Sequence, residues 1–235
     1  MVIDCFDCRN RECFIKQCSK DWISMISDQK FQMIFKTGHH IFREGDIVNG
    51  VYFIQEGKVK VTSTTLKGDE HIVRLAGNGH LIGHRGYGHE KYPISAIAME
   101  ESRICFVDND LLYQAYMNNP EFTYKSMLFY SKELRKSEQG KQFLAQMTME
   151  EKVIFALLYI VETFGTYEKD HSIPQCISRK DISAIAGTNV EQVSRALSVL
   201  KERKLIETDK RKIIIKNPPA LRELISFYIR EKELI

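Results

Sequence analysis

The chain has 235 residues, of which 43% are hydrophobic and 28% are charged, and its net charge is +3. These values are ordinary for a globular protein, and the length predicts one large or two modest domains. The net charge does not indicate nucleic-acid binding by itself, so any basic surface must be local.

No stretch approaches the ~18 consecutive apolar residues that a membrane span needs, so we expect no membrane partner. The N-terminus lacks the apolar region of a secretory signal, which predicts a cytoplasmic protein. In that compartment the six cysteines are expected to be reduced thiols or metal ligands rather than disulfides.

Ten of the 13 glycines lie between Gly38 and Gly88, where short β-type runs alternate with turn signals. Gly57 and Gly68 mark two of the turns, because glycine accepts the positive φ of a tight turn. Several short strands at near-regular spacing predict an all-β barrel or sandwich over roughly residues 30–108. Four runs read as strands: Val51–Gln55, Lys58–Ser63, His71–Leu75 and Ile94–Ala98.

After this region the hydrophobic period becomes helical. Asp108 caps a predicted short helix that ends at Asn118, and Pro120 precedes a long amphipathic helix from Glu121 to about Gln139. We expect Gly140 to end or bend this long helix. Its apolar stripe either packs on its own barrel or forms a dimer seam, and a position between two domains favours the seam. The stripe comprises Tyr124, Met127, Leu128, Ser131 and Leu134.

Two further helices are predicted towards the C-terminus. The apolar run Val153–Val161 is bounded by charged residues and indicates a buried helix, Met149–Phe164, that ends at Gly165. Pro218 and Pro219 begin a last predicted helix that runs to Leu234, since proline fits the first helical turn.

The segment that starts at Ser178 predicts a helix-turn-helix. Ser178 caps a first helix, with the Asp181 carboxylate at the positive end of the helix dipole. Gly187 ends that helix because glycine accepts the left-handed conformation, and Thr188 or Asn189 caps the second helix. Two short helices around a glycine-containing turn have the geometry of this DNA-binding motif.

The outer face of the second helix suits base contact, because the N-terminal end of such a helix enters the major groove. Arg195 can donate to both guanine acceptors, Glu191 can accept from cytosine and Gln192 can pair with adenine. The alternative is that Glu191 and Arg195 form a solvated ion pair. The predicted DNA-binding residues are Ser178, Thr188, Asn189, Glu191, Gln192, Ser194, Arg195 and Lys201.

A basic hairpin, or wing, follows between Leu205 and Asn217, with a turn at Asp209 and Lys210. Residues 195–216 contain eight basic and three acidic side chains, an excess of positive charge larger than that of the whole chain. Such a local excess suits contact with DNA phosphates. The alternative is a solvated surface hairpin.

Taken in order, these parts resemble the CRP/FNR family of transcription regulators. The resemblance covers nearly the whole chain and rests on Phe42–Asp46, Val51–Val61, Gly79–Gly83 and the helix-turn-helix Asp181–Ile206. It implies an α+β fold with four parts in chain order. These are a cysteine-rich tail (1–20), a jelly-roll-like β-roll sensory domain (21–118), a dimerisation helix (119–145) and a winged helix-turn-helix DNA-binding domain (146–235).

The resemblance also implies the partners. A homodimer would bind palindromic double-stranded DNA with its recognition helices about 34 Å apart, and RNA polymerase would be a further partner. The family's Glu-x-x-Ser-Arg pattern falls on Glu191, Ser194 and Arg195. Many members have arginine just before that glutamate, where this chain has Val190, so we expect a different contact to the outer half-site base.

The resemblance places an effector pocket at Gly83, His84, Arg85 and Ser95. Members that bind cyclic AMP have a glutamate for the ribose hydroxyl at the position of His84, and an Arg-Ser pair at the positions of Ile94 and Ser95. Without a cation at position 94, a buried cyclic phosphate would lack its charge partner. We therefore expect an effector other than cyclic AMP.

The oxygen-sensing branch of this family holds an iron–sulfur cluster with three tail cysteines and one in the β-roll. The tail spacing here departs from that branch by one residue, and Cys18 is an extra candidate. Four thiolates suit a [4Fe–4S] cluster or a tetrahedral zinc ion, and a thiol redox switch formed by the cysteines is a further interpretation. In the alternative interpretation, the cysteines are core residues and loose thiols without a metal. The candidate ligands are Cys5, Cys8, Cys13 and Cys105.

Six of the seven histidines lie between His39 and His89, and we expect them on the surface because no spacing fixes a haem or metal site. The chain has neither a phosphate-cradling loop nor a nucleophile elbow, so we do not expect an enzyme. The alternative function is a cyclic-nucleotide-like ligand-binding regulatory module without DNA binding. The Glu191, Ser194 and Arg195 pattern argues against that alternative.

Overall fold

The computed structural model describes residues 3–65, 68–167, 171–210 and 212–229. The contacts between residues divide the chain into two compact units, Met1–Ser131 and Lys132–Ile235. Among the described residues, no helix is long and apolar enough to cross a membrane.

The first unit is built on two antiparallel sheets. Its described strands are β1 (Phe31–Phe35), β2 (His40–Phe42), β3 (Gly50–Glu56), β4 (Val59–Thr64), β5 (Glu70–Ala76), β6 (Leu81–Ile82), β7 (Ser95–Ala98) and β8 (Ser102–Asp108). One sheet has the order β1-β8-β3-β6 and the other β2-β7-β4-β5. This is the predicted β-roll, and the four predicted strands are found with ends shifted by no more than one residue.

Alternation of buried and outward side chains explains these strands. In β4, Val59 and Val61 are buried while Lys60 is less so, as expected for a strand that covers a core with one face. Gly57 joins β3 to β4 with φ +127°, and a Cβ at this position would lie 2.2 Å from Ser102 Oγ. Glycine is therefore required there both by conformation and by space.

Helices close one side of this roll. They are α1 (Lys20–Gln29), α2 (Asn109–Asn118) and α3 (Pro120–Gln146), with short 3-10 helices at Phe14–Gln17 and His84–Gly86. The Asp108 carboxylate accepts from the Leu111 N–H at 2.8 Å and caps α2 as predicted. One hydrophobic cluster joins Ile15 of the tail, Ile26 of α1, Phe53 of β3 and Phe122 of α3. The tail is thus part of the core of the first unit.

The second unit contains α4 (Met149–Phe164), α5 (Arg179–Ala186), α6 (Val190–Glu202), β9 (Ile206–Asp209), β10 (Lys212–Ile215) and α7 (Pro218–Leu224). The bounds of α4 are those predicted, and Thr148 with Glu151 forms a capping box at its start. Strands β9 and β10 pair antiparallel, which is the predicted hairpin. Arg211, which the predicted wing includes, lies outside the described residues.

Two predicted helix ends are wrong. Helix α3 continues through Gly140 to Gln146, because a single glycine costs a helix only about 1 kcal/mol and the neighbouring Lys and Gln residues favour helix. The last helix ends at Leu224 rather than at Leu234. Turn-type bonds follow it, from the Ser226 N–H to Glu223 O and from the Tyr228 N–H to Ile225 O. Residues 230–235 of the prediction lie outside the described residues.

The two glycines at helix positions make a matched test of backbone conformation. Gly187 has φ +63° and Gly140 is helical, and neither has an atom within 4 Å of a Cβ position. Gly187→Ala should lower the free energy of unfolding by about 1–2 kcal/mol, because alanine disfavours the left-handed region. Gly140→Ala should raise it by roughly 0.5–1 kcal/mol. Urea denaturation followed by circular dichroism measures both, and equal effects of the two substitutions would contradict this account.

Candidate nucleic-acid interface and thiol cavity

Short polar side chains cap helices α5 and α6, and one glycine ends α5 between them. The Asp181 N–H donates to Ser178 Oγ at 3.1 Å, and the Gln192 N–H donates to Asn189 Oδ1 at 2.9 Å. Gly187 ends α5 in the left-handed conformation. The inner face of α6 is buried, so the helix presents one fixed side outward. The buried residues are Val193, Ala196, Leu197 and Leu200.

The outward side of α6 carries the charged residues that the sequence singled out. Glu191 and Arg195 are exposed one helical turn apart, and Lys201 is exposed near the C-terminal end. Ser194 is half-buried, donates to Val190 O at 2.9 Å and accepts from the Arg179 guanidinium at 3.4 Å. Arg179 was not predicted. No local signal in the sequence marks it, because its contact with Ser194 depends on the packing of α5 against α6.

The remaining predicted DNA-binding residues hold the backbone of the motif. Ser178 forms a reciprocal capping box with Asp181, and Asn189 caps α6. The Thr188 hydroxyl donates to Gln192 Oε1 at 2.5 Å. Ser178 and Asn189 are exposed, whereas Thr188 and Gln192 are half-buried. Their side chains therefore shape the exposed surface from which Glu191 and Arg195 project.

The wing extends this surface with cations. Ile206, Ile213 and Ile215 are buried under the hairpin, so its polar side chains face outward. One basic side chain of the wing pairs locally, Lys216 with Glu207 at 3.1 Å. Arg203, just before the wing, pairs with Glu150 at 2.7 Å. The exposed basic residues here are Lys201, Arg203, Lys204, Lys210 and Lys216.

The candidate metal ligands meet at a cavity in the first unit. Three come from the tail and one from β8, and all four line the same space. The other lining residues are half apolar and half polar or basic, and they include no carboxylate. The lining residues are Cys5, Cys8, Asn10, Cys13, Ile15, Lys16, Ile26, Lys30, Gln32, Phe53, Ile54, Gln55, Cys105 and Val107.

Hydrogen bonds fix the tail against the roll. The Ile3 N–H donates to Gln32 Oε1 at 2.7 Å, and Gln32 Nε2 donates back to Ile3 O at 3.0 Å. Asn10 Nδ2 donates to Ile54 O at 3.2 Å. Gly79 has φ +85°, and a Cβ there would lie 3.1 Å from Asn10 Oδ1. The Gly79 turn therefore leaves room for the tail to pass.

Burial shapes the chemistry of these thiols. It raises the pKa of Cys13 to about 12 and also raises the pKa of Cys105. Cys18 is buried in the core and its pKa rises to about 12, but it does not line the cavity. Within the described ranges, no three His, Cys, Asp or Glu side chains lie close enough to ligate a single metal ion. A four-iron cluster instead needs one thiolate on each iron, spread over a wider space.

The predicted surface position of His84 is wrong. Its side chain is buried, with the ring centroid 5.3 Å from that of Phe129 and 5.7 Å from that of Tyr130. The left-handed Gly83 turn directs the chain inward at this point, and the two aromatic rings of α3 cover the imidazole. His80 is half-buried and His89 is exposed.

The other predicted effector residues are occupied by packing and local bonds. A Cβ at Gly83 would lie 3.2 Å from the Tyr52 ring, and Ser95 Oγ accepts from the Glu44 N–H at 2.9 Å. Ile94, at the position of the family's phosphate-binding arginine, is buried in the core. Arg85 is half-buried. Of these positions only Ile94 has an apolar, buried side chain, whereas Arg85 and Ser95 keep polar side chains.

Comparison with known families finds two domains in this order. Residues 32–119 match the cyclic nucleotide-binding domain, and residues 151–224 match the Crp-like helix-turn-helix domain. Together the two matches include the β-roll and the α4–α7 region.

Known relatives resemble most of the chain. The transcriptional activator protein Anr of Pseudomonas protegens is 28% identical over 189 residues, which cover 79% of this chain and 77% of Anr. The fumarate and nitrate reduction regulatory protein of Vibrio cholerae is 25% identical over 229 residues, which cover 95% of this chain and 90% of that protein. The solved structure of FixK2 from Bradyrhizobium japonicum has the same fold, with a TM-score of 0.74, 22% identity, and coverage of 83% of this chain and 96% of FixK2.

The burial of His84 predicts a dependence of stability on pH. Desolvation, with smaller contributions from Arg74 and Arg85, lowers its pKa to about 3. In the unfolded chain His84 binds a proton near pH 6.5, whereas in the folded protein it stays neutral until about pH 3. The free energy of unfolding therefore decreases as pH falls from about 6.5 towards 3.

Urea unfolding midpoints measured between about pH 7 and pH 4 test this dependence. The His84→Leu protein should lose less stability than the wild type over this range. His89→Leu, which removes an exposed histidine, is the control and should follow the wild type. Parallel curves for the wild type and His84→Leu would refute the assignment.

Proposed function

Because the chain belongs to the CRP/FNR family of transcription regulators, whose members bind DNA as dimers, we propose a sequence-specific regulator under the control of an iron–sulfur cluster. It reads palindromic double-stranded DNA as a homodimer. RNA polymerase is the proposed further partner of this homodimer, because the relative Anr is named a transcriptional activator. The observation that carries the proposal is that Cys5, Cys8, Cys13 and Cys105 line one cavity while Glu191 and Arg195 are exposed on α6.

DNA reading is assigned to residues 146–235. Arg195 and Glu191 are exposed on the outward side of α6. Arg195 would donate to guanine and Glu191 would accept from cytosine. Arg179, Lys201 and the cations of the wing would contact phosphates, which position the helix without reading sequence. Val190, 42% exposed, would present an apolar surface to the outer base.

Dimerisation is assigned to residues 119–145. The apolar stripe on α3 is exposed in the single chain: Tyr124 and Met127 are each 58% exposed and Leu134 is 61% exposed. Phe122 and Ser126, on the opposite face, are buried against the roll. A helix that has already packed one face on its own domain and exposes a second apolar face suits a seam between two copies.

The donor set of the cavity fits a [4Fe–4S] cluster. Cys5, Cys8, Cys13 and Cys105 would be the ligands, and Cys18 would be a core residue. Four cysteine thiolates are the usual ligand set of such clusters. A cluster bound there supplies an oxidant-sensitive cross-link between the tail and β8. Lys16 Nζ donates to Cys8 O at 2.7 Å and so positions that part of the tail.

A cyclic nucleotide is not the proposed effector. Ile94 would leave the phosphate without a cation, and His84 lies among aromatic rings instead of facing a ribose. Although residues 32–119 match the cyclic nucleotide-binding domain, the roll is proposed to act as the support that carries Cys105.

DNA binding is tested by gel shift with a pool of palindromic operators at low and high salt. The wild type should bind with strong salt dependence, because phosphate contacts release counterions. Arg195→Ala should weaken binding to the preferred sequence by about 1–3 kcal/mol and relax selectivity at one base pair. Arg43→Ala, an exposed arginine of the roll, is the matched control and should bind normally. No shift of the wild type at low salt would defeat the proposal.

The cluster is tested by iron and sulfide analysis of protein purified without oxygen. The wild type should be brown and contain about four irons per chain. Cys105→Ser should lose most of the iron, whereas Cys18→Ser and Cys176→Ser should retain it, since neither residue lines the cavity. Colourless, iron-free wild-type protein would overturn the cluster, and iron loss in Cys18→Ser equal to that in Cys105→Ser would overturn the ligand set.

A further inference from the structure

Lys30 is a buried lysine at the end of α1. It is 6% exposed, and its Nζ lies 3.0 Å from Cys5 Sγ and 3.3 Å from Ser27 Oγ. Burying a cation is costly unless it is paired and hydrogen-bonded. The Ser27 hydroxyl donates to the nearby Asp4 Oδ2 at 2.7 Å and, together with the more distant Lys30 charge, lowers the pKa of that carboxyl. The lysine is therefore directed at a sulfur atom rather than at a carboxylate.

The same serine fixes the geometry of this contact. The Cys5 N–H donates to Ser27 Oγ at 2.9 Å, so α1 holds both the backbone of Cys5 and the ammonium group that meets its sulfur. Lys30 and Cys5 thus have a fixed relative position before any metal is considered.

The charge balance of the cavity explains why a lysine would face a ligand sulfur. Four thiolates around a [4Fe–4S] core of charge +2 carry a net charge of −2, which is expensive to bury unless cations or hydrogen-bond donors face it. The charged residues that line the cavity are Lys16 and Lys30, and both are positive. Lys16 Nζ is bonded to the carbonyl of Cys8, whereas Lys30 Nζ is bonded to a ligand sulfur itself.

We propose that Lys30 is a positioning residue that donates a charge-assisted hydrogen bond to the Cys5 thiolate and thereby protects the cluster from oxidation, an inference that rests on the proposed cluster. A hydrogen bond to a ligand sulfur and a nearby cation favour the more negative state of a cluster, which raises its reduction potential. Gln32 Nε2, 3.5 Å from Cys105 Sγ, donates in the same sense to a second ligand sulfur. Loss of the Lys30 charge should make the cluster easier to oxidise.

The experiment compares the wild type with Lys30→Arg, Lys30→Gln and Lys30→Met, and with Lys36→Met as an exposed lysine control. Circular dichroism and iron content are measured first on each anaerobic protein. One electron is then added from dithionite in a titration followed by electron paramagnetic resonance, and the loss of visible absorbance in air gives the cluster lifetime.

Lys30→Met should lower the equilibrium constant of the one-electron reduction about tenfold, which is about 59 mV. Its lifetime in air should shorten at least threefold, with Lys30→Gln between it and the wild type. Lys30→Arg and Lys36→Met should stay within a factor of two of the wild type. If Lys30→Met does not fold or load iron, Lys30→Gln decides the result.

Two outcomes separate this inference from the proposed function. Wild-type protein without iron would overturn the cluster itself. Iron-loaded wild-type, Lys30→Gln and Lys30→Met proteins with the same potential and the same lifetime in air would leave the cluster in place and overturn the role of Lys30.

Discussion

The docking of the N-terminal tail on the β-roll is the constraint on which the sensory half of this protein depends. A short segment rich in thiols has little apolar surface of its own, so it is held by hydrogen bonds as well as by packing. Ser27, Gln32 and Asn10 supply those bonds, and Ile15 inserts into the core. Only this docking brings three tail cysteines to the same cavity as Cys105 of β8.

In the DNA-reading half, helix caps hold the motif in place as hydrogen bonds hold the tail. Ser178, Asn189 and Thr188 use their side chains on backbone and neighbouring groups, which fixes α5 against α6. Because the apolar residues of α6 face inward, its charged residues project from a rigid surface. Rigid placement matters for recognition, since a bidentate contact to a base tolerates little error in position.

Much of the fold follows from local signals in the sequence. Met149–Phe164, the Asp108 cap and the Gly187 turn are determined by nearby residues, and the structure has them where they were predicted. The burial of His84 was missed because it depends on aromatic rings of α3 that lie far away in the sequence. Gly140 and the end of α7 show that propensity alone does not place helix ends.

The candidate sites divide in the same way. The sequence itself shows the spacing of the tail cysteines and the pattern from Glu191 to Arg195. The position of Cys105 beside the tail depends on the fold, and no local signal in the sequence gives it. Lys30 follows a helix and reads as an ordinary surface lysine. Its burial arises only when the tail covers the end of α1. Arg179 likewise gains its position from the crossing of two helices.

Mössbauer spectroscopy of iron-57-labelled protein, grown and purified without oxygen, tests the central claim most directly. The account predicts the paired-valence doublets of a [4Fe–4S] cluster with cysteine on every iron, and their loss in Cys105→Ser. A spectrum of isolated ferrous or ferric ions, or of a two-iron cluster that persists in Cys105→Ser, would contradict it.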